Sequence, residues 1–388
     1  MNNPRLLRRT ARVAAATAVS LATLGATSPA VPAAARIPHD VRSIALQGSD
    51  PAQRALSARR TAPFSMVGVT WADSRAELGG TAQVRTRDSV TGVWSGWRDL
   101  ELDVRTPETG TGTEAGASRA GTQPLWTGPS DGVQVRVTGR ELSKLPAGLR
   151  VELVDPERDT TATTSQAGAA GVAPERDTAT TTSQAGAAAS APAVVPRSGW
   201  GADESLVLSP AKYTTDTKVV FTHHTAGTND YTCAQSADII RAIFLYHVQG
   251  QGWNDIGYHF LVDKCGNVFE GRAGGIDEPV VGAQTYGLNT DTAGVAVLGN
   301  YNEAPTPQPV LQAVAGLAAW KLGLAGYDAT GTAELTSAAD NGKFTKGQKV
   351  VLNRISGHRD GYPTECPGNN LYADLTAIRA LAAAAQAD

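Results

Sequence analysis

Two segments far apart in the chain carry side chains that bind transition metals. An apolar stretch ends in the pair His223 and His224, and the segment 350–372 holds His358 and Cys366. Two imidazoles and a thiolate form a ligand set that suits zinc. Three protein ligands leave a coordination position for water, as catalytic zinc sites do. The residue types therefore predict a catalytic zinc centre, with one zinc ion per chain.

The N-terminus has the features of an export signal. A basic region with four arginines precedes an apolar segment, 13–24, and small residues with an Ala-x-Ala at 33–35. We predict a signal peptide at 1–35 that uses the general secretory route, with twin-arginine export through Arg8 and Arg9 as the alternative. No other apolar run is long enough to span a membrane, so we expect the mature protein to be secreted.

The cysteine count bears on the same metal site. A secreted protein with the three cysteines Cys233, Cys265 and Cys366 has one that is unpaired, exposed or metal-bound. Cys233 precedes a predicted helix and Cys265 lies in a turn, so these two can form a disulfide. Cys366 then remains beside His358 as a metal ligand. The alternative pairs Cys366 with one of the other two.

Residues 36–155 are predicted to form a separate β-rich module. Short runs with alternating apolar and polar residues are separated by turn residues, and this pattern predicts a half-buried antiparallel sheet in a small sandwich. The predicted strands are 64–71, 81–87, 94–102, 133–137 and 149–154. Four tryptophans, Trp71, Trp94, Trp97 and Trp126, either fill the core of this module or form a face that stacks on carbohydrate.

Residues 156–195 are predicted to be a disordered linker. The segment 156–170 recurs almost unchanged at 174–188 and consists mainly of alanine, threonine, glycine and serine. Such side chains bury too little apolar surface to offset the entropy lost on ordering.

Residues 196–388 alternate strand and helix patterns, which predicts an α/β domain with a central mixed sheet flanked by helices. The segment 218–222 is predicted as the strand that leads to His223 and His224, and 236–248 as an amphipathic helix. A further predicted strand ends at Ile355, shortly before His358.

This second domain resembles the peptidoglycan recognition proteins, whose catalytic members are zinc-dependent N-acetylmuramoyl-L-alanine amidases. Four segments carry the resemblance: RSGWGA at 197–202, FTHHTAG at 221–227, GWNDIGYHFLVD at 252–263, and GHRD with TECPG within 357–368. Membership of this family implies a zinc amidase fold over 196–388. It also implies hydrolysis of the amide between the lactyl group of N-acetylmuramic acid and L-alanine in peptidoglycan.

The resemblance also assigns roles to single residues. It implies that zinc is bound by His223, His358 and Cys366. Tyr258 would contact the zinc-bound water or the oxyanion, and Thr364 would flank the reacting carbonyl. Zinc in such a site lowers the pKa of bound water and polarises the amide, and the two hydroxyls would stabilise the oxyanion. The relatives' GAHTYG segment has a histidine where this chain has Gln284, which implies different substrate contacts.

Several site residues have alternative interpretations. Adjacent residues on a strand point to opposite faces, so His224 should point away from His223. We therefore expect His224 in the core or behind the ligands. The alternative is that it is a fourth ligand, which would make the zinc site structural. His247 and His259 are expected to be packed residues, and Tyr258 has a core alternative. Glu365 is expected to pair locally rather than act as a base.

Composition and resemblance together define the expected partners. A net charge of −3 indicates no polyanion partner and hence no nucleic acid. The expected partner is peptidoglycan, with the protein secreted as a monomer and an association with the cell wall as an option. The alternative function is a module that binds peptidoglycan without cutting it. Such relatives typically lack the cysteine ligand, which this chain retains at Cys366.

Overall fold

A computed structural model describes residues 39–102, 118–140, 144–157 and 189–387. The predicted signal peptide and most of the predicted linker lie outside the described residues. The fold class predicted from the sequence is confirmed, because an all-β module precedes an α/β domain with a mixed sheet and flanking helices.

The β module is a seven-stranded antiparallel sheet. Its strands have the order β1-β7-β2-β6-β3-β4, and β5 pairs with β2. The strands are β1 (Asp40–Ala45), β2 (Gln53–Trp71), β3 (Gly80–Asp88), β4 (Arg98–Leu100), β5 (Ala120–Gly121), β6 (Leu125–Gly139) and β7 (Arg150–Asp155).

The sequence predicted a small sandwich, and in the structure all seven strands of this module belong to one hydrogen-bonded sheet. The register of β2 against β6 shifts between Leu56 and Arg59 and twice more before Met66. Such irregularities bend a strand and increase its twist. A sheet bent in this way surrounds its own apolar core, to which Val133 and Val135 contribute from β6.

The α/β domain has a six-stranded sheet with the order β15-β9-β12-β10-β11-β8, and a separate hairpin of β13 and β14. Strands β15, β9, β12 and β10 are parallel, whereas β11 runs antiparallel to β10. The strands are β8 (Val194–Val195), β9 (Val219–His224), β10 (Phe260–Val262), β11 (Val268–Glu270), β12 (Thr292–Val297), β13 (Thr332–Thr336), β14 (Lys349–Asn353) and β15 (Ile355–Gly357).

Helices cover both faces of this sheet. The helices are α1 (Ser236–Leu245), which continues as a π-helical turn to Gly250, α2 (Gln308–Gly323), α3 (His358–Gly361), α4 (Asn369–Ala373) and α5 (Leu375–Ala387). Helices α2 and α5 pack in one apolar cluster with strand residues such as Val295, and α1 packs on the other face beside Ala296. The predicted strand that ends at Ile355 is divided in two, because β14 pairs with β13 while β15 joins the main sheet.

The two modules share an apolar interface along α1. Met66, Trp126 and Val154 of the β module lie in one cluster with Ile243 and other α1 residues. Helix α1 is therefore buried on both sides, whereas the sequence predicted an amphipathic helix with a solvated face.

A glycine permits the closest approach between the modules. A Cβ placed on Gly68 of β2 would lie 2.4 Å from Cε2 of Tyr246, so only glycine lets this ring pack against the strand. The Tyr246 hydroxyl donates to the carbonyl of Thr122 at 3.0 Å. Backbone groups of the β module thus contact the α/β domain directly.

The four tryptophans of the β module divide into two pairs. Trp71 and Trp126 are buried in apolar clusters. Trp94 and Trp97 are half-buried, and the Arg136 guanidinium lies 4.2 Å from the Trp97 ring centroid. Half of the set therefore fills the core, which is one of the two alternatives from the sequence. Among the described residues, no helix combines the length and the apolar character that crossing a membrane requires.

Candidate metal centre

Sheet topology brings the two candidate histidine ligands together. His223 lies at the carboxyl end of β9, and His358 follows the carboxyl end of β15. These strands are parallel neighbours, with Gly357 paired to Thr222. Ligand sites in open α/β sheets form outside the carboxyl ends of the strands, and this site follows that rule.

The Cys366 thiol completes a cluster of three donors. The ligand atoms of His223, His358 and Cys366 all lie within 4.8 Å of one another, and all three residues are buried. The His223 Nδ1 atom is 3.7 Å from the Cys366 Sγ atom. Tetrahedral zinc with bonds of about 2.1 Å to nitrogen and 2.3 Å to sulfur separates such donors by roughly 3.5 Å. The structure therefore contains a His/Cys group of the size that zinc needs.

Both imidazoles are held in the neutral form that metal binding requires. Burial lowers the pKa of His223 to about 3, although its hydrogen bond with Gln284 acts in the opposite direction. Burial also lowers the pKa of His358 well below its usual value. Nδ1 of His358 is buried and has no hydrogen-bond partner among the described residues. A buried nitrogen without a partner is costly, and a metal ion at this position would satisfy it.

Gln284 fixes the orientation of the His223 ring. His223 Nε2 donates to Gln284 Oε1 at 2.7 Å, so Nδ1 faces the thiol without a proton. The Thr285 hydroxyl also donates to this oxygen, and the Gln284 amide donates to Thr292 Oγ1 at 3.0 Å. Gln284 is 8% exposed, so it lies behind His223. It is not on a surface that faces substrate, although the resemblance relates this position to substrate contacts. Partners of this kind fix the tautomer and orientation of a metal-binding histidine.

Tyr258 lies beside the candidate ligands. Its ring centroid is 5.3 Å from that of His223, and 5% of the residue is exposed. Gln123 of the β module donates to its hydroxyl oxygen at 3.3 Å. The Tyr258 residue also belongs to the apolar cluster around α1, so its ring packs in the core while its hydroxyl has a polar partner.

Thr364 braces the loop that carries the thiol. Its hydroxyl accepts a hydrogen bond from the Cys366 backbone N–H at 2.9 Å. Arg359 holds the same loop, because its backbone N–H donates to the Cys366 carbonyl at 3.0 Å and its guanidinium donates to the Glu365 carbonyl. The Glu365 side chain is 78% exposed and pairs loosely with Arg359 at 3.9 Å. Glu365 thus interacts locally, as the sequence suggested.

His224 faces away from the three donors. Its side chain is fully buried and its Nε2 lies 3.3 Å from a carboxylate oxygen of Glu101 in the β module. Its backbone N–H lies 3.4 Å from the Cys366 sulfur and points a positive dipole at it. His224 therefore supports the thiol through its backbone, and it is not part of the donor cluster in the described residues.

His247 and His259 are packed inside the domain, as the sequence predicted. The His247 ring stacks on Trp253 at 4.4 Å between centroids, and His259 makes hydrogen bonds with Val280 and Gly294. Burial lowers the pKa of each of these two histidines to about 3.

We predict that these buried histidines make stability fall in acid. An unfolded histidine takes up its proton near pH 6.5, whereas folded His247 does so only near pH 3. The unfolded state therefore binds more protons between these values, and the contribution is complete above pH 6.5 and lost as pH falls towards 3. Each such histidine changes the free energy of unfolding by about 1.4 kcal/mol per pH unit in this window.

Denaturant unfolding of chelator-treated protein from pH 7 to pH 4 measures this slope. His247→Asn keeps an acceptor for the Gly257 N–H, which His247 Nδ1 accepts at 3.3 Å, but cannot titrate. Its slope should be smaller than that of the wild type by about 1.4 kcal/mol per pH unit. An unchanged slope would show that folded His247 is already protonated in this range.

The other two cysteines form a disulfide. Cys233 and Cys265 are joined with a sequence separation of 32 residues. They also lie close to Asp263, but sulfurs in a disulfide are not available to a metal. Cys366 takes no part in this disulfide and is buried.

The fold and the donor cluster define an α/β domain with a candidate His/Cys metal centre, and comparison with known proteins gives its family. A family model described as N-acetylmuramoyl-L-alanine amidase matches residues 213–369. A second model, described as Rv3811 N-terminal galactose-binding domain-like, matches residues 21–189.

Two relatives that are at least 30% identical agree with the first of these matches. Peptidoglycan-recognition protein SC2 of Drosophila melanogaster is 31% identical over 183 residues, which cover 47% of this chain and 84% of the relative. The protein of the same name from Drosophila simulans is 30% identical over 182 residues, with the same coverage of 47% and 84%. An endolysin amidase structure from Clostridium intestinale is 23% identical, covers 49% of this chain and 96% of its own, and has a TM-score of 0.35. The chain belongs to the family of peptidoglycan recognition proteins and N-acetylmuramoyl-L-alanine amidases, as the sequence motifs predicted.

Proposed function

We propose that this chain is a secreted, zinc-dependent N-acetylmuramoyl-L-alanine amidase. Its reaction is hydrolysis of the amide between the lactyl group of N-acetylmuramic acid and L-alanine in peptidoglycan. The observation that carries the proposal is the convergence of a buried thiol and two neutral imidazoles, whose ligand atoms lie within 4.8 Å of one another. Family membership alone leaves both binding and cutting open, since relatives of both kinds exist. The complete donor set favours cutting.

The residues present fit a zinc ion. Sulfur and neutral imidazole nitrogen are preferred zinc donors, and a site with three of them keeps a position open. Nδ1 of His358 has no other partner among the described residues. His223 Nδ1, His358 and Cys366 would hold the ion. When bound, zinc supplies a Lewis acid for the amide carbonyl and lowers the pKa of a water molecule.

The chain's own side chains perform the remaining tasks. The Tyr258 hydroxyl donates a hydrogen bond to the carbonyl oxygen as negative charge develops there. The Thr364 hydroxyl, whose oxygen accepts a hydrogen bond from the Cys366 N–H, donates a hydrogen bond to the same substrate carbonyl oxygen. Gln284 keeps Nδ1 of His223 free of a proton, and the buried position of the ligands excludes bulk water. Tyr258 and Thr364 are thus the proposed catalytic residues.

Localisation and organisation follow the same proposal. Residues 1–35 act as the signal peptide, 36–155 as the β module, 156–195 as the linker and 196–388 as the amidase domain. The last two linker residues form β8 at the edge of the amidase sheet. The Cys233–Cys265 disulfide supports an oxidising compartment outside the cytoplasm. The partner is peptidoglycan, and the protein acts as a monomer that is secreted or associated with the cell wall.

Hydrolysis of a purified muropeptide tests the function. The wild-type protein loaded with one equivalent of zinc should release the free stem peptide, and a chelator should stop the reaction reversibly. Mass spectrometry of both products identifies the bond that is cut. Tight binding without any release of peptide would favour the alternative, a peptidoglycan-binding module.

Gln284→Leu is predicted to weaken zinc binding without destroying the donor set. The substitution removes the acceptor for His223 Nε2, so the ring loses its fixed tautomer. Loss of such a partner typically lowers metal affinity by about 10- to 100-fold. Competition with a chromophoric chelator measures the affinity, and Gln249→Leu is a matched control on the exposed end of the π-helical turn. Equal affinities of wild type and Gln284→Leu would contradict the role of Gln284.

A further inference from the structure

A segment of the β module is bound to the α/β domain beside the metal centre. The backbone N–H of Arg119 donates to the Gln251 carbonyl at 2.7 Å. The Tyr246 hydroxyl donates to the Thr122 carbonyl at 3.0 Å. Both partners lie in or next to the π-helical turn after α1, so these contacts fix the segment 119–123 on the α/β domain.

Gln123 extends from this segment to the proposed catalytic tyrosine. It is 7% exposed, and its Nε2 donates to the Tyr258 hydroxyl oxygen at 3.3 Å. A donor on a phenolic oxygen polarises the O–H bond and makes that hydroxyl a stronger donor. It also restricts the directions in which the hydroxyl proton can point. Gln123 is therefore placed to orient the group that would stabilise the oxyanion.

Glu101 makes a second contact from the β module to the site. Its carbonyl accepts the Gln123 N–H at 2.8 Å, which joins the two contacts to each other. Its carboxylate lies 3.3 Å from His224 Nε2 and also accepts from Asn302 Nδ2 at 3.3 Å. His224 in turn directs its backbone N–H at the Cys366 sulfur. The β module thus reaches both the tyrosine and the residue that supports the thiol.

A groove between the two modules is lined by Glu101 and by Thr364 of the loop that carries the thiol. Its volume is about 610 Å³, and it is lined by Leu78, Arg140 and Glu101 on one side and by Tyr362, Thr364 and Glu365 on the other. A muramoyl-peptide whose amide reaches Thr364 through this groove must contact the β module.

We propose that the β module completes the active site, with Gln123 as a positioning residue for the Tyr258 hydroxyl and with one wall of the substrate groove. The proposal rests on the proposed amidase function and extends it to a module that has a separate family match. Glu101 holds Gln123 and His224 in place through the contacts described above.

A double-mutant cycle between Gln123 and Tyr258 tests this proposal on the full chain loaded with zinc. Gln123→Ala should lower kcat on a muropeptide about tenfold with KM changed less than about twofold, since positioning affects the transition state more than the ground state. In the Tyr258→Phe background the same substitution should change kcat less than about twofold. Gln123→Met keeps about the length of the side chain and loses the amide donor, so it should behave like Gln123→Ala and serves as the second variant if Gln123→Ala does not fold.

Controls separate this role from general damage. Gln83→Ala is the matched control, because Gln83 bonds only with Asp99 and Arg136 of the β module in the contacts described, and it should leave kcat unchanged. Zinc content and the visible spectrum of the cobalt-substituted protein should be the same in all Gln123 variants and the wild type.

The contrary outcomes are distinct. An equal loss in the wild-type and Tyr258→Phe backgrounds, or no loss in either, overturns the role of Gln123 while the amidase function stands. A wild type that binds but does not cut overturns the amidase function. The dissociation constant of the muropeptide then decides whether the β module belongs to the site, since a Gln123→Ala protein that binds as tightly as the wild type would show that it does not.

Discussion

Cys366→Ala is expected to lose its zinc and its amide-cleaving activity together. The thiol is one of three donors, and it is the only one that brings a negative charge to the ion. Lewis-acid stabilisation is worth several kcal/mol, which corresponds to a loss of at least about a thousandfold in kcat/KM. Zinc content by atomic absorption and release of stem peptide from a muropeptide measure the two effects.

The chain offers a control for the loss of cysteine itself. Replacing both Cys233 and Cys265 with alanine removes the disulfide across its 32-residue separation, which should cost about 3 to 4 kcal/mol of stability. This variant should still bind one zinc ion and cut the substrate at temperatures where it remains folded. A Cys366→Ala protein that keeps stoichiometric zinc and the wild-type rate would show that the thiol is not a ligand.

Tyr258→Phe is expected to lower kcat by about 100-fold while zinc binding stays intact. The hydroxyl would act only when charge develops on the carbonyl oxygen, so its loss should affect kcat more than KM. Removal of one such donor typically costs a factor of about 100 to 1,000. Steady-state kinetics on a muropeptide and zinc analysis measure both quantities.

Tyr231→Phe is the matched control for loss of a buried hydroxyl. The Tyr231 hydroxyl accepts the Lys264 N–H at 2.8 Å and lies outside the metal centre. The variant can lose stability, but its kcat should stay within about twofold of the wild type. If Tyr258→Phe also keeps the wild-type kcat, the tyrosine is a packing residue, as its alternative interpretation holds.

The parts of the site that the sequence predicted are local motifs. His223 follows an apolar strand, and His358 and Cys366 share one segment, so residue types and spacing indicate both the ligands and the metal. The α/β architecture was also predictable, because the spacing of apolar residues shows which face of each strand or helix is buried. The residues at which each strand begins and ends were harder to predict from the sequence. The apolar run before Ile355 belongs to two different sheets, and only pairing with β13 and β9 separates β14 from β15.

Other features depend on contacts that leave no pattern in the sequence. The resemblance implies only that substrate contacts differ at Gln284, whereas the structure places this side chain behind His223. Gly294 leaves room for it, since a Cβ there would lie only 2.5 Å from Gln284 Cγ. Gln123 and Glu101 are isolated polar residues in a β-rich segment. Neither lies at a spacing from other polar residues that is typical of metal ligands or catalytic groups. Their proximity to Tyr258 and His224 arises from packing between segments more than 100 residues apart.

The sequence by itself determined which donors are available: two imidazoles that follow apolar strands and a sulfur in the same segment as the second imidazole, in a chain with an export signal pattern. These features depend on residue types within short segments of the chain, so periodicity and spacing are sufficient to identify them. Only the tertiary structure decided that the β module packs along α1 and sends Gln123 and Glu101 to the site. Such an arrangement depends on the fit of two apolar surfaces, including the space that Gly68 leaves for Tyr246, and surface complementarity cannot be read from either segment alone.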